Sequence, residues 1–87
     1  MITIEYAPGF VRIWKKLPPD IQDEVVERIE LFKNPKNHAL LKVHKLKGKM
    51  RDKYAFSINF RDRIAFRYSK DHKVAFLLDM DDHTIYE

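Results

Sequence analysis

Four histidines, at positions 38, 44, 72 and 83, and a dense set of cations between Lys36 and Arg67 are the side chains of this 87-residue chain best suited to chemistry. His44 stands just before Lys45, Lys47 and Lys49. Arg61, Asp62 and Arg63 are consecutive, and Arg67 follows four residues later. An imidazole with an unperturbed pKa near 6.5 can take or give a proton close to neutral pH. A guanidinium offers a fork of donors that matches a phosphate and does not lose its proton. Together these types suit reaction at a phosphodiester, which needs a base, an acid and cations around the developing charge. That chemistry requires neither metal nor cofactor. The histidine spacing matches no zinc-ligand pattern and the chain has no cysteine to help. Gly9 and Gly48 are its two glycines, so no glycine-rich phosphate loop exists.

The net charge of +4 conceals a segregation. Between Lys36 and Arg67, ten Lys and Arg face only Asp52 and Asp62, leaving +8, while the remainder of the chain carries −4. A one-sided positive field suits a polyanion such as nucleic acid, or an acidic protein partner. The length predicts one domain over residues 1–87, burying roughly 60–65% of its unfolded surface. A hydrophobic content of 45% argues against disorder. The lack of cysteine fits a reducing compartment. No apolar run approaches the roughly 20 residues of a membrane span, and the start of the chain has no signal-peptide pattern. A soluble, cytoplasmic protein without membrane contact is expected.

The cations must be positioned by the elements around them. Tyr54, Phe56, Ile58 and Phe60 alternate with Ala55, Ser57 and Asn59. Ile64, Phe66 and Tyr68 alternate with Arg63, Ala65 and Arg67, and Val74, Phe76 and Leu78 with Ala75, Leu77 and Asp79. Period two over three successive segments predicts antiparallel strands with one oily face and one wet face. Parity then pairs Phe60 with Ile64, Ile58 with Phe66 and Phe56 with Tyr68, placing Ser57 across from Arg67. In the second hairpin it pairs Tyr68 with Val74, Phe66 with Phe76 and Ile64 with Leu78, and so Arg63 with Asp79. The wet face becomes the floor of a shallow, positively charged cleft, small side chains with Arg63, Arg67 and Asp79 above them.

Ahead of these strands, Ile2, Ile4 and Tyr6 alternate as a short first strand ended by Pro8-Gly9. Phe10, Trp14 and Leu17 recur at helical spacing up to Pro18. A second helix starts at Pro18-Pro19-Asp20, buries Ile21, Val25, Ile29 and Phe32, and stops at Asn34-Pro35. The loop around His38 reads as solvated. Leu40–Lys47 is ambiguous and could finish as a short strand centred on Val43–Leu46, with Leu46 buried. The expected fold class is α+β: an N-terminal strand, a helix hairpin, then an antiparallel sheet of about four strands with the helices on one face.

His44-Lys45-Leu46-Lys47-Gly48, the run Tyr54–Phe66 with its Arg61-Asp62-Arg63 block, and Leu78–His83 make the chain resemble the RelE/ParE superfamily of type II toxin–antitoxin toxins. Leu17-Pro18 followed by Gln22 at the helix junction, and the element order, agree over essentially the whole chain. The resemblance implies a RelE/ParE-like two-layer domain and a toxin that cleaves mRNA, often in the ribosomal A site. It also implies a cognate antitoxin that wraps the toxin and blocks its basic face, with DNA contacted only through the toxin–antitoxin complex. The YafQ-like branch has a histidine, a turn aspartate and a C-terminal histidine where this chain has His44, Asp62 and His83. The RelE-like branch relies on an arginine matched by Arg63 and a late tyrosine matched by Tyr86. The chain lacks the lysine pair of RelE's second strand and has Ile58 where YafQ has a further histidine.

On that basis His83 is expected to be one proton-transfer group, with His44 or Asp62 as the other. Arg63 would clamp the phosphate, helped by Arg61 and Tyr86, and Lys45, Lys47, Lys49 and Arg67 would hold flanking phosphates. Plainer readings stand beside each: His44 as solvated surface, His83 as a tail residue among acids, Asp62 as a turn residue, and Arg63 as the partner of Asp79. Two rival readings share the fold: a ParE-type inhibitor of DNA gyrase, which needs no histidines at 44 and 83, and an inert or purely nucleic-acid-binding relative, which the missing lysine pair leaves open.

Overall fold

The computed structural model describes residues 1–82, with the backbone alone for Met50, Asp81 and Asp82. Strand β1 (Thr3–Tyr6) leads into helices α1 (Pro8–Lys15) and α2 (Pro19–Phe32). Strands β2 (His44–Lys45), β3 (Tyr54–Ser57), β4 (Asp62–Tyr68) and β5 (Val74–Asp82) follow. The sheet order is β1-β5-β4-β3-β2, antiparallel throughout except that β1 runs parallel to β5. The architecture is α+β as expected, but the sheet has five strands and is mixed. A helical crossover separates β1 from the later strands, which is the connection a parallel pairing requires.

Both helices begin on prolines, whose fixed φ suits the first turn and whose missing N–H costs nothing there. Gln22 locks the hairpin: its side-chain amide donates to the Trp14 carbonyl at 2.9 Å, and the Trp14 indole donates to the Gln22 carbonyl at 3.4 Å. Val25, Ile29 and Phe32 of α2 and Phe10 of α1 are buried against Phe56, Ile64, Phe66, Ala75 and Leu77 of the sheet. Phe32 lies at the centre, stacked on Phe56 at 4.5 Å and meeting Phe66 edge-on at 4.8 Å. His38 is part of this packing rather than solvated. Its ring stacks on Phe32 at 4.8 Å and its Nε2 lies 2.8 Å from the Phe32 carbonyl.

Face assignments for β3 and β4 match the expected alternation, but both registers differ from it. In the first hairpin Phe56 pairs with Ile64, Ser57 with Arg63, Ala55 with Ala65 and Tyr54 with Phe66. The turn therefore falls at residues 59–61, because Asn59 Oδ1 accepts from the amides of both Arg61 and Asp62, at 2.8 and 2.7 Å. Phe60 is consequently not in the core but 92% exposed at the tip. In the second hairpin Tyr68 pairs with Ala75, Arg67 with Phe76 and Phe66 with Leu77, so Ala75 and Leu77 face the core in place of Val74 and Phe76. A one-residue slip exchanges the two faces of a strand. A bulge at Ala65/Phe66 then sets Ala65 opposite Asp79 and Arg63 opposite Asp81, not Asp79, and returns Met80 to the core.

Among the described residues no helix is long and apolar enough to cross a membrane.

Candidate functional site

The sheet face turned away from α2 carries a continuous row of paired residues, His44–Ala55–Ala65–Asp79, running from β2 to β5. Beside it lies Ser57–Arg63 on one flank and Arg67–Phe76 on the other. The alternation that buries Phe56, Ile64 and Phe66 puts these residues here. The floor is not bare. Leu46, only 4% exposed, folds over Ala55 and Ala65 and forms a second, small apolar cluster on this face. Its amide donates to the Lys53 carbonyl at 2.9 Å, and Gly48 at φ 69 turns the chain after it.

α1 supplies a wall. β1 ends at Tyr6 while β5 continues, and α1 packs against β5, with Gly9 close to the Leu78 carbonyl. The space between is an open cleft of about 470 Å³, lined by Gly9, Ile13, Lys53, Ala65, Arg67, Leu78 and Asp79. Two cations and one carboxylate project among apolar walls, a composition suited to a polar ligand with a flat apolar body. The Arg67 guanidinium lies 5.9 Å from the centre of the Phe76 ring. Asp79 accepts from the Met80 amide at 2.8 Å.

The candidate residues divide by face. Arg63 stands beside the cleft, half-buried, and its Nη1 donates to the Ser57 hydroxyl at 2.6 Å. His44 is exposed on the same face, with Nδ1 2.9 Å from the Lys42 carbonyl. A carbonyl only accepts, so this bond puts the proton on Nδ1 and leaves the Nε2 lone pair of the neutral ring open. Two strands and two residues separate His44 from Arg63, roughly 12 Å between Cα atoms at standard spacings. Lys45, Lys47 and Lys49 are exposed along and beyond the β2 edge. Asp62 has the opposite parity, that of Ile64. Asn59 Nδ2 donates to Asp62 Oδ2 at 3.1 Å and to Glu24 Oε1 of α2 at 2.9 Å, so Asp62 belongs to the brace between the turn and the helix layer. Arg61 lies 3.7 Å from the same carboxylate and is otherwise exposed. His83 and Tyr86 lie outside the described residues. Among the described residues no group of three or more His, Cys, Asp or Glu could hold a metal ion.

Sequence reasoning missed Lys53, Gly9 and Ile13 as cleft residues. Lys53 reads as one more cation of a basic connection, and Gly9 and Ile13 as helix residues only. No local pattern signals that a helix 40 residues away will wall the cleft.

No family model matches the sequence, and no curated protein is similar enough to count as a match. Solved structures do match over nearly the whole chain. The RelBE2 toxin–antitoxin complex from Mycobacterium tuberculosis shares 22% identity and a TM-score of 0.75, covering 93% of this chain and 96% of its own. A YoeB/ParE toxin from Agrobacterium tumefaciens shares 16% identity and a TM-score of 0.73, covering 94% and 99%. YafQ from Escherichia coli shares 14% identity and a TM-score of 0.72, covering 98% and 97%. The protein therefore has the fold of these RelE-, YoeB- and YafQ-type structures, with α2 on one face of its sheet and the cationic face on the other.

Proposed function

We propose that the protein is the toxin of a type II toxin–antitoxin pair and an endoribonuclease acting on mRNA, with the ribosomal A site as the place of cleavage. The observation that carries this reading is the collection of His44, Arg63 and Arg67 on one sheet face, beside a cleft of about 470 Å³ lined by Arg67 and Lys53. The likeness to RelE-, YoeB- and YafQ-type structures supports it.

In the proposed step the 2′-oxygen of one nucleotide attacks the adjacent phosphorus while a base accepts the hydroxyl proton. The bond from phosphorus to the 5′-oxygen breaks and an acid protonates that oxygen, leaving a 2′,3′-cyclic phosphate and a 5′-hydroxyl. His83 serves as one proton-transfer group. For the other, His44 is the better candidate than Asp62, since its Nε2 is open while Asp62 is engaged by Asn59. Arg63 offers its remaining donors to the phosphate oxygens, where charge accumulates in the transition state. Lys45, Lys47, Lys49 and Arg67 attract the flanking backbone. The cognate antitoxin, with an acidic or amphipathic segment, covers this face, and DNA is met only within the toxin–antitoxin complex.

The test is inducible expression with mapping of mRNA 5′ ends, alone and with the neighbouring open reading frame. New 5′ ends that the neighbour suppresses are expected. With purified protein, RNA carrying a deoxynucleotide 5′ of the cut should resist cleavage; continued cutting would exclude the 2′-hydroxyl route. The similarity to a structure called YoeB/ParE favours one second reading, gyrase inhibition without nuclease activity. Broken DNA and intact mRNA after induction would select it.

A further inference from the structure

Phe60, at the tip of the β3–β4 hairpin, is the most exposed large hydrophobic side chain of the described residues, at 92%. A lone exposed apolar residue is ordinary on a protein surface. Three features set this one apart.

The tip that carries it is rigid for reasons that do not involve Phe60. The amides of Arg61 and Asp62 both donate to Asn59 Oδ1, the Ile58 amide donates to the Asp62 carbonyl at 2.9 Å, and Asn59 Nδ2 ties the turn to Glu24 of α2. The ring is thus held out into solvent by a braced turn, not left there by a loose loop. Its neighbour Arg61 is also exposed, 71% by side chain, so an aromatic face and a guanidinium are offered together. The tip also adjoins the proposed reaction site. Phe60 precedes Arg63 by three residues, at most about 10 Å of backbone, and both lie within the segment of charge +8.

A rigid aromatic beside a cation at the mouth of a positively charged face is how single-stranded nucleic acid is gripped without sequence choice. A base stacks on the ring, and the cation holds its phosphate. We propose that Phe60 is a base-stacking platform for a nucleotide flanking the scissile phosphate, with Arg61 contacting the adjoining backbone. This rests on the ribonuclease reading above, and deepens it by naming where the strand is anchored beyond the cleft.

The experiment uses the full chain and a fluorescein-labelled single-stranded RNA, 2′-O-methylated so that it cannot be cut. Anisotropy titration of Phe60→Ala should show affinity weakened about tenfold, with an unchanged melting temperature. Phe60→Trp should keep the affinity, and the new indole should be quenched as RNA is added. Arg63→Ala serves as the control that reports the cationic face. If Phe60→Ala binds RNA like the parent while Arg63→Ala binds weakly, the platform is wrong and the ribonuclease reading survives. A parent that has no affinity for the RNA overturns the platform, while the ribonuclease reading, which places cleavage on the ribosome, stands or falls on the mapped mRNA 5′ ends. Weakened antitoxin binding with unaltered RNA affinity also overturns the platform, since it would make Phe60 a protein contact.

Discussion

Arg63 on β4 and Ser57 on β3 are paired across the first hairpin, and the guanidinium donates to the serine hydroxyl at 2.6 Å. The bond takes one of five donors and orients the others over the cationic face. Arg63→Ala should lower single-turnover cleavage about 10²-fold or more, the loss typical of one transition-state donor. Arg63→Lys should recover only part, since it keeps the charge and loses the fork. Ser57→Ala leaves the cation in place but unaligned, and a smaller loss of up to about tenfold is expected. Equal rates for Arg63→Ala and the parent would remove the arginine from the mechanism.

Asn59 gives the tip its shape through four hydrogen bonds, two accepted from backbone amides and two donated to Glu24 and Asp62. Asn59→Ala should destabilise the fold by about 1–3 kcal/mol, because the amides of the turn lose their acceptor. In a domain this small each kcal/mol lowers Tm by roughly 4–8 °C. Glu24→Ala should cost less, about 1 kcal/mol, and the two losses should not add, since they share a bond. Additive losses in denaturant titrations of the two single variants and the double would refute the brace.

What could be read from the sequence, and what could not, follows from where each strand lies. In β3 and β4 large inner residues (Phe56, Ile64, Phe66) alternate with small or charged outer ones (Ala55, Ala65, Arg63), so the faces are unambiguous. β5 runs between β1 and β4 and is apolar on both faces from Val74 to Leu78, so alternation carries little information there. Its parity was decided instead by the turn, where His72 adopts φ 59 and the Ser69 amide bonds to the Val74 carbonyl. The hairpin tip misled in another way. Arg61-Asp62-Arg63 resembles a turn by composition, yet Asn59 captures the two amides that define the real one. The cationic floor of the cleft was readable because it needs only strand parity. The wall was not, because it needs α1 to meet β5.

Burial pushes the Tyr68 hydroxyl above the usual tyrosine value of 10.0, with a smaller contribution from the nearby Tyr54. The folded state then holds the proton more tightly than the unfolded chain, so stability falls as pH rises from about 10 through the folded value. Tyr68→Phe has no proton to lose, and its melting temperature should decline less over that alkaline range. Stacking of Tyr68 on His72 at 4.3 Å survives the change, which keeps the comparison clean near neutral pH. Identical alkaline slopes for parent and variant would show that Tyr68 titrates normally.

Leu46 connects stability to the site, since the same residue that seals Ala55 and Ala65 fixes the segment bearing His44, Lys45 and Lys47. Leu46→Ala should cost about 2–3 kcal/mol, at the low end for a buried leucine because the small cluster opens to solvent and can relax. β2 is only two residues long, so its pairing with β3 depends on this packing. Hydrogen exchange should therefore show the Leu46 amide, bonded to the Lys53 carbonyl, losing protection more than the amides of β4. RNA affinity should fall in parallel, as the lysines leave their register. A variant with unchanged stability but weakened RNA binding would instead make Leu46 a direct RNA contact.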